Sequence, residues 1–177
     1  MNSNVWAKTI LSSYPYLVKL ASSIDRVVER KALYSFYVTS ANFSSNNIYD
    51  LANKLIELSQ RKIVLINIKV LTENALKNCS KEEAKLLIAK HIAKKKSNEI
   101  CDMLKIPNRT YFRKVSQAES HFEKVLSKLG FPPSRLENYL KDESWITETK
   151  NKYEHTNNED KMEIDYRQME RRACALI

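Results

Sequence analysis

An all-α chain is predicted: a helical bundle whose C-terminal part is a tri-helical unit, followed by a polar tail. Three observations predict it. One glycine and four prolines in 177 residues leave almost nothing for hairpins, phosphate-cradling loops or sharp strand turns. Ser80-Lys81-Glu82-Glu83 has the form of a capping box, a helix start legible in the residues themselves. Tyr111, Val115, Ala118, Phe122, Val125 and Leu129 recur at steps of four, three, four, three and four, which is one face of a long helix.

Each element follows from similar signals. Leu17, Leu20, Ile24, Val27 and Val28 mark one face of a first helix that ends by about Thr39, with Pro15 placed near its start. Ser40 to Asn47 is rich in Asn and Ser and reads as a loop, with Asn46 or Asn47 available as a cap. From Ile48 to about Lys77 there is no glycine or proline, and Ile48, Leu51, Leu55 and Leu58 begin a stripe that drifts onto Ile63, Ile66 and Val70. The β-branched run from Ile63 to Ile68 has the composition of a strand, but its flanks lack turn signals, so it reads as helix.

The helix that starts at Ser80 is expected to carry Ala84, Leu87, Ile88 and Ile92 inward. It ends in Lys94-Lys95-Lys96, a charge that suits the negative end of a helix dipole. Ser97 with Glu99 and Ile100 opens the next helix, which stops before Pro107 because proline disfavours helical geometry in its predecessor. Asn108 then caps the long helix, which Gly130 and Pro132-Pro133 terminate. A short piece around Leu136, Tyr139, Leu140 and Trp145 folds back on the bundle, Thr147 to Asp160 reads as a linker, and Met162 to Leu176 as a marginal amphipathic helix. Three blocks result: residues 1–79, residues 80–146 and a polar tail over residues 147–177.

Charge narrows the function classes. Lys and Arg number 30 against 21 acids, a net +9 that favours an acidic partner such as nucleic acid. Residues 80–130 hold 12 Lys and Arg against 6 Asp and Glu, so the basic excess coincides with the tri-helical block. Cys79, Cys101 and Cys174 are odd in number and form no C-x-x-C pair, which implies reduced thiols and a cytoplasmic setting. The longest apolar stretch, Ile63 to Leu71, is short and broken by Asn67 and Lys69, so neither a targeting nor a membrane-spanning segment is expected.

Lys94 to Lys114 therefore reads as helix, tight turn and second helix, with basic residues at the start of the second. Tyr111 and Val115 point inward against Ile100, Leu104 and Ile106, which leaves Asn108, Arg109, Phe112, Arg113 and Ser116 toward solvent. Arginine on such a face takes guanine O6 and N7 bidentately, and Asn108 or Gln117 reaches phosphate or adenine. Lys94, Lys95, Lys96 and Lys114 track the backbone of double-stranded DNA, and Phe112 touches a thymine methyl. The alternative weighed against this is a solvated basic face on a tri-helical unit that binds no DNA.

The order Ser97-x-Glu99-Ile100-Cys101-x-x-Leu104-x-Ile106-Pro107-x-x-Thr110-Tyr111-Phe112-Arg113 resembles the region-four helix-turn-helix of bacterial sigma factors. It is also similar to the ArpU-like transcription regulators of phages and mobile elements. The resemblance covers about Ser80 to Leu129 and implies sequence-specific DNA binding in transcription regulation. By position it makes Cys101 the small residue between the two helices and Tyr111 and Val115 the core of the recognition helix. Arg109, Thr110, Phe112 and Arg113 become the groove-facing set. Such motifs usually place glycine in the turn where this chain has Lys105, which must take a less favourable backbone geometry or sit in a different turn. The first 79 residues lack the aromatic and basic cluster of a promoter-melting module. A stand-alone regulator, or a sigma-like protein without that module, fits better, its N-terminal helices supplying a dimer interface or an RNA polymerase contact.

No enzyme, metal or cofactor is expected. His91, His121 and His155 are not paired four apart and have no cysteine or acid cluster at zinc spacing around them. Surface or interhelical roles are the expectation for each. Glu82-Glu83 belongs to the capping box, and Cys101 is a packing residue. The second hypothesis is a helical adaptor in which the Ile48 to Lys77 helix and the Met162 to Leu176 segment assemble proteins and the basic face is incidental.

Overall fold

The structure, a computed structural model, describes the backbone of residues 4–38 and 45–155, and the side chains of these residues apart from 34–38 and 45–48. Every element among the described residues is a helix, as the composition predicts. α1 runs over Val5–Val38, α2 over Ser45–Lys77, and α3 over Lys81–Leu87, which a single π turn at Ile88–Ile92 prolongs. Then follow α4 (Ser97–Leu104), α5 (Asn108–Lys128), α6 (Pro133–Tyr139) and α7 (Ser144–His155). No helix of the described residues is long and apolar enough to cross a membrane.

The described residues form two compact units, one of residues 4–15 and 68–155, the other of residues 16–38 and 45–67. α1 and α2 each contribute to both. The blocks read from the sequence divide the chain at residue 79 instead, because nothing local marks a helix that continues from one core into another. In the second unit Leu17, Leu20, Ala21 and Ile24 of α1 and Leu58 and Leu65 of α2 are buried. Lys62 Nζ meets Asp25 Oδ1 at 2.5 Å between the two helices.

The first unit has the larger core, with Trp6, Ile10 and Leu11 of α1, Ile68 and Ala75 of α2, Leu87, Ile100, Phe122, Leu126, Leu136, Leu140, Trp145 and Ile146 all buried. Ile63, Ile66 and Val70, expected on the inward stripe of α2, are exposed. The buried face is Leu65, Ile68, Leu71, Thr72 and Ala75, offset from the expected one by two residues, about half a helical turn. β-branched residues on both faces of α2 left the sequence pattern ambiguous.

Four helix boundaries differ from expectation. Pro15 lies inside α1, which begins ten residues earlier at Val5. Proline there removes one backbone donor and crowds the carbonyl four residues back; the burial of Trp6, Ala7, Ile10 and Leu11 ahead of it holds the helix together. α2 begins at Ser45, so Asn46 and Asn47 lie in its first turn rather than in a loop; residues 39–44 lie outside the described residues. Thr147 to His155, expected as a linker, belongs to α7, where Ile146 and Thr149 are buried and Thr149 Oγ1 donates to the Trp145 carbonyl at 2.8 Å. The Met162 to Leu176 helix lies outside the described residues.

The fourth departure is the π turn. Ala93 N–H donates to the Ile88 carbonyl five residues back, at 2.8 Å. The extra residue rotates everything after it, so Ile88 is exposed while Ala89 and His91 are buried, where the sequence pattern expects Ile88 and Ile92 inward. Leu87, also expected inward, is fully buried.

α5 ends as its sequence requires. Gly130 takes φ +86°, Phe131 N–H donates to the Leu126 carbonyl at 3.0 Å and Gly130 N–H to that of Ser127 at 3.1 Å, a Schellman cap. Arg135 then covers the Phe131 ring at 4.7 Å and donates to the Gly130 carbonyl at 2.8 Å.

Candidate nucleic-acid interface

The capping box at the start of α3 is formed: Ser80 Oγ accepts from Glu83 N–H at 3.3 Å, and Glu83 Oε2 accepts from Ser80 N–H at 3.0 Å. This fixes the first turn of the helix against which α5 packs. Three residues, Lys105, Ile106 and Pro107, join α4 to α5. Lys105 adopts φ 52° and ψ 43°, the left-handed geometry its place in the turn demands. Ile106 N–H donates to the Cys101 carbonyl at 3.0 Å and Lys105 N–H to that of Asp102 at 3.4 Å, closing a second Schellman cap on a residue that carries a Cβ. The left-handed conformation costs a non-glycine residue about 1 kcal/mol or more. Lys105→Gly is therefore expected to raise unfolding stability by roughly 0.5–1 kcal/mol; chemical denaturation showing a loss would refute this account of the turn.

Asn108, expected as the cap of the long helix, is its first residue instead. Pro107 caps it in extended geometry, and its carbonyl accepts from Thr110 and Tyr111 N–H at 2.8 and 3.1 Å. The exposed Asn108 turns its Oδ1 to the Cys101 thiol, 3.9 Å away. Of the expected core of this unit, Ile100, Cys101, Tyr111 and Val115 are buried, whereas Leu104 and Ile106 are half-buried. Both line an open cavity of about 520 Å³ between the start of α3, the α4–α5 turn and α5.

The residues expected to face DNA divide into three groups. Arg109, Arg113 and Ser116 lie one turn apart on the solvent face of α5, and neither arginine has an ion-pair partner among the described residues. Asn4 Nδ2 donates to the Ser116 carbonyl at 3.3 Å, so the start of α1 abuts this face at its third turn. Phe112 stands beside the arginines, 42% exposed, its ring edge-on to Tyr111 at 5.2 Å. Thr110 is half-buried. Lys114 and Gln117 instead flank α3: both line the cavity, and Lys114 Nζ lies 3.7 Å from Glu82 Oε2.

Lys94, Lys95 and Lys96, all exposed, form the link between the π turn and α4. Lys94 also takes a left-handed φ of 53°, which lets Lys95 N–H close onto the Ala89 carbonyl at 2.9 Å. Glu99 and Asp102 on the exposed side of α4 are the acids nearest in sequence to this basic surface.

A buried polar network escaped the sequence reading. His91, only 5% exposed, places Nε2 at 2.8 Å from Oε1 of Glu119, itself 1% exposed. Lys90 Nζ reaches the same oxygen at 3.1 Å, and Lys8 Nζ lies 3.8 Å from the other. Burial pushes the Glu119 carboxyl up, but the hydrogen bond from His91 and the charges around it hold it down, to about 2. Burial likewise favours neutral imidazole and lowers the His91 pKa against the pull of Glu119. An ionised Glu119 requires the His91 proton on Nε2. Nδ1 then accepts from Ser12 Oγ at 3.4 Å, which accepts from Tyr153 OH at 2.7 Å. The order acid, imidazole, hydroxyl is that of a nucleophilic triad, yet Ser12 is 1% exposed and beyond a substrate's reach. The network ties α1, the π turn and α7 to the flank of α5. The only trace in the sequence was an unpaired histidine, since its partner lies 28 residues away.

Scans against protein-family models, curated proteins and solved structures each return no match to this chain.

Proposed function

We propose that the protein is a sequence-specific, double-stranded DNA-binding transcription regulator in which α4, the Lys105–Pro107 turn and α5 act as a helix-turn-helix. The first two turns of α5 enter the major groove. The observation that carries this reading is the pair Arg109 and Arg113, exposed, adjacent on one helical face and without ion-pair partners among the described residues. An unpaired guanidinium on a rigid helix is preorganised for the two acceptors of guanine, and Phe112 beside it offers an apolar contact to a thymine methyl. Lys94, Lys95 and Lys96 supply phosphate contacts. Tyr111, Val115, Ala118 and Phe122 anchor the opposite face of α5 and hold the arginines in register.

The likeness to sigma region four and to ArpU-like regulators adds to the same reading and belongs to it, as do a homodimer or an RNA polymerase contact through the N-terminal helices. The test is selection from a random duplex pool at near-physiological salt. Enrichment of a motif supports the proposal; salt-sensitive binding that selects no sequence overturns it. A second reading, the helical adaptor, has one observation in its favour: Tyr49, Ile56 and Ile63, spaced by seven on α2, are all exposed.

A further inference from the structure

The turn between α2 and α3, the first turn of α3 and the middle of α5 converge at three side chains of different chemistry: the thiol of Cys79, the carboxylate of Glu83 and the imidazole of His121. One ligand atom from each lies within 4.8 Å of the other two. They are four and 38 positions apart in the chain, so no linear spacing announces them. His121 Nδ1 sits 2.9 Å from Glu83 Oε2. Glu83 Oε1 has no hydrogen bond among the described residues, so this oxygen is available while Oε2 keeps the capping box. Cys79 is buried at the base of the cluster, and Glu83 and His121 are half-exposed at its mouth.

We propose that Cys79, Glu83 and His121 form a binding site for a divalent transition-metal ion of the zinc class. Tetrahedral zinc holds sulfur at about 2.3 Å and nitrogen or oxygen at about 2.0–2.2 Å, which separates ligand atoms by roughly 3.2–3.7 Å. Closing the widest separation, which is no more than 4.8 Å, and opening the 2.9 Å between His121 Nδ1 and Glu83 Oε2 slightly reach that geometry. A mixed sulfur, nitrogen and oxygen set selects zinc or cobalt over magnesium or calcium, which take oxygen alone. Thiolate and carboxylate together balance the charge of the ion, and water completes the fourth position from the open side.

The metal ligand is the thiolate and not the thiol, so Cys79 gives up its proton on binding. Loading forms the metal–sulfur bond and releases that proton to solvent, which makes affinity rise with pH. The bound ion clamps the start of α3 to α5 and stabilises the folded chain by mass action. This site does not depend on DNA binding.

The test titrates Co²⁺ alone into the full chain after chelator treatment. A near-ultraviolet thiolate-to-cobalt band with visible ligand-field bands is expected, both abolished by one equivalent of Zn²⁺. Cys79→Ser should remove the thiolate band, and His121→Gln, at a half-exposed position that tolerates change, should weaken binding by about tenfold or more. Cys101→Ser should leave the spectrum unchanged. No thiolate band in the unaltered chain, or a band that survives in both Cys79→Ser and His121→Gln, overturns the site.

Discussion

Replacing Arg109 and Arg113 together with alanine is expected to abolish motif-selective DNA binding while leaving the fold intact. A bidentate arginine–guanine pair is worth about 1–3 kcal/mol, so removing two weakens binding to a selected duplex by roughly 30-fold at least. Both side chains are exposed and have no partner among the described residues, so unfolding stability should move by no more than about 0.5 kcal/mol. Neutralising Lys94, Lys95 and Lys96 has a different signature. Binding to all sequences weakens alike, and the slope of log affinity against log salt falls by up to about 0.9 for each phosphate that is no longer neutralised. Titration of selected and scrambled duplexes over a salt series separates the two. If the arginine variant keeps its sequence preference, α5 does not read bases and the proposed function fails.

Glu119→Ala should lower unfolding stability by about 1–3 kcal/mol, the cost of leaving the buried His91 N–H without an acceptor. His91 Nε2 then has no acceptor, and Lys90 and Lys8 are left without the anion they share. Glu119→Gln should cost clearly less, because the amide oxygen still accepts from His91 and the two lysines, partly exposed, can swing to water. The pH dependence follows from the same geometry. Below about 6.5 the unfolded chain protonates His91 while the folded chain, which lowers that pKa, resists. Between about 4.5 and 2 the unfolded chain likewise protonates Glu119 ahead of the folded one. In both windows the unfolded state binds more protons, so stability falls as pH falls. Urea melts from pH 7 to 3 test this: a Glu119→Gln chain should show a shallower acid slope below pH 4.5, where Glu73 and Glu83, also held below the usual carboxylate range, still contribute, and an unchanged slope would mean that Glu119 is not held ionised in the fold.

Much of the fold was legible because its signals are local. The Ser80–Glu83 capping box is formed, the stripe from Tyr111 is buried as far as Val125 while Leu129 at its end is exposed, and Gly130 ends α5 as a Schellman cap. At Lys105, where the sequence left a strained residue or a different turn open, the residue takes the left-handed geometry. The failures were also physical. Pro15 reads as a helix start, but the buried Trp6 and Ile10 carry the helix back past it. Thr147 to His155 reads as a linker, since α7 buries only a narrow face and shows little apolar periodicity.

What the sequence by itself determined is the helical class, the capped start of α3, the glycine end of α5 and the exposure of Arg109 and Arg113. A helix start, a helix stop and a 3.6-residue period depend on neighbours within one or two turns. What only the tertiary structure decided is which residues distant in the chain share an environment: His91 with Glu119, Cys79 with His121, and the first turns of α1 with α5 and α7. The pairing of His91 with Glu119 rests on burial and on the need of a buried polar group for a partner, and the meeting of Cys79 with His121 on the packing of α3 against α5. Both are properties of the packed chain, and the π turn that carries His91 inward shows how one extra residue in a turn changes which side chains meet.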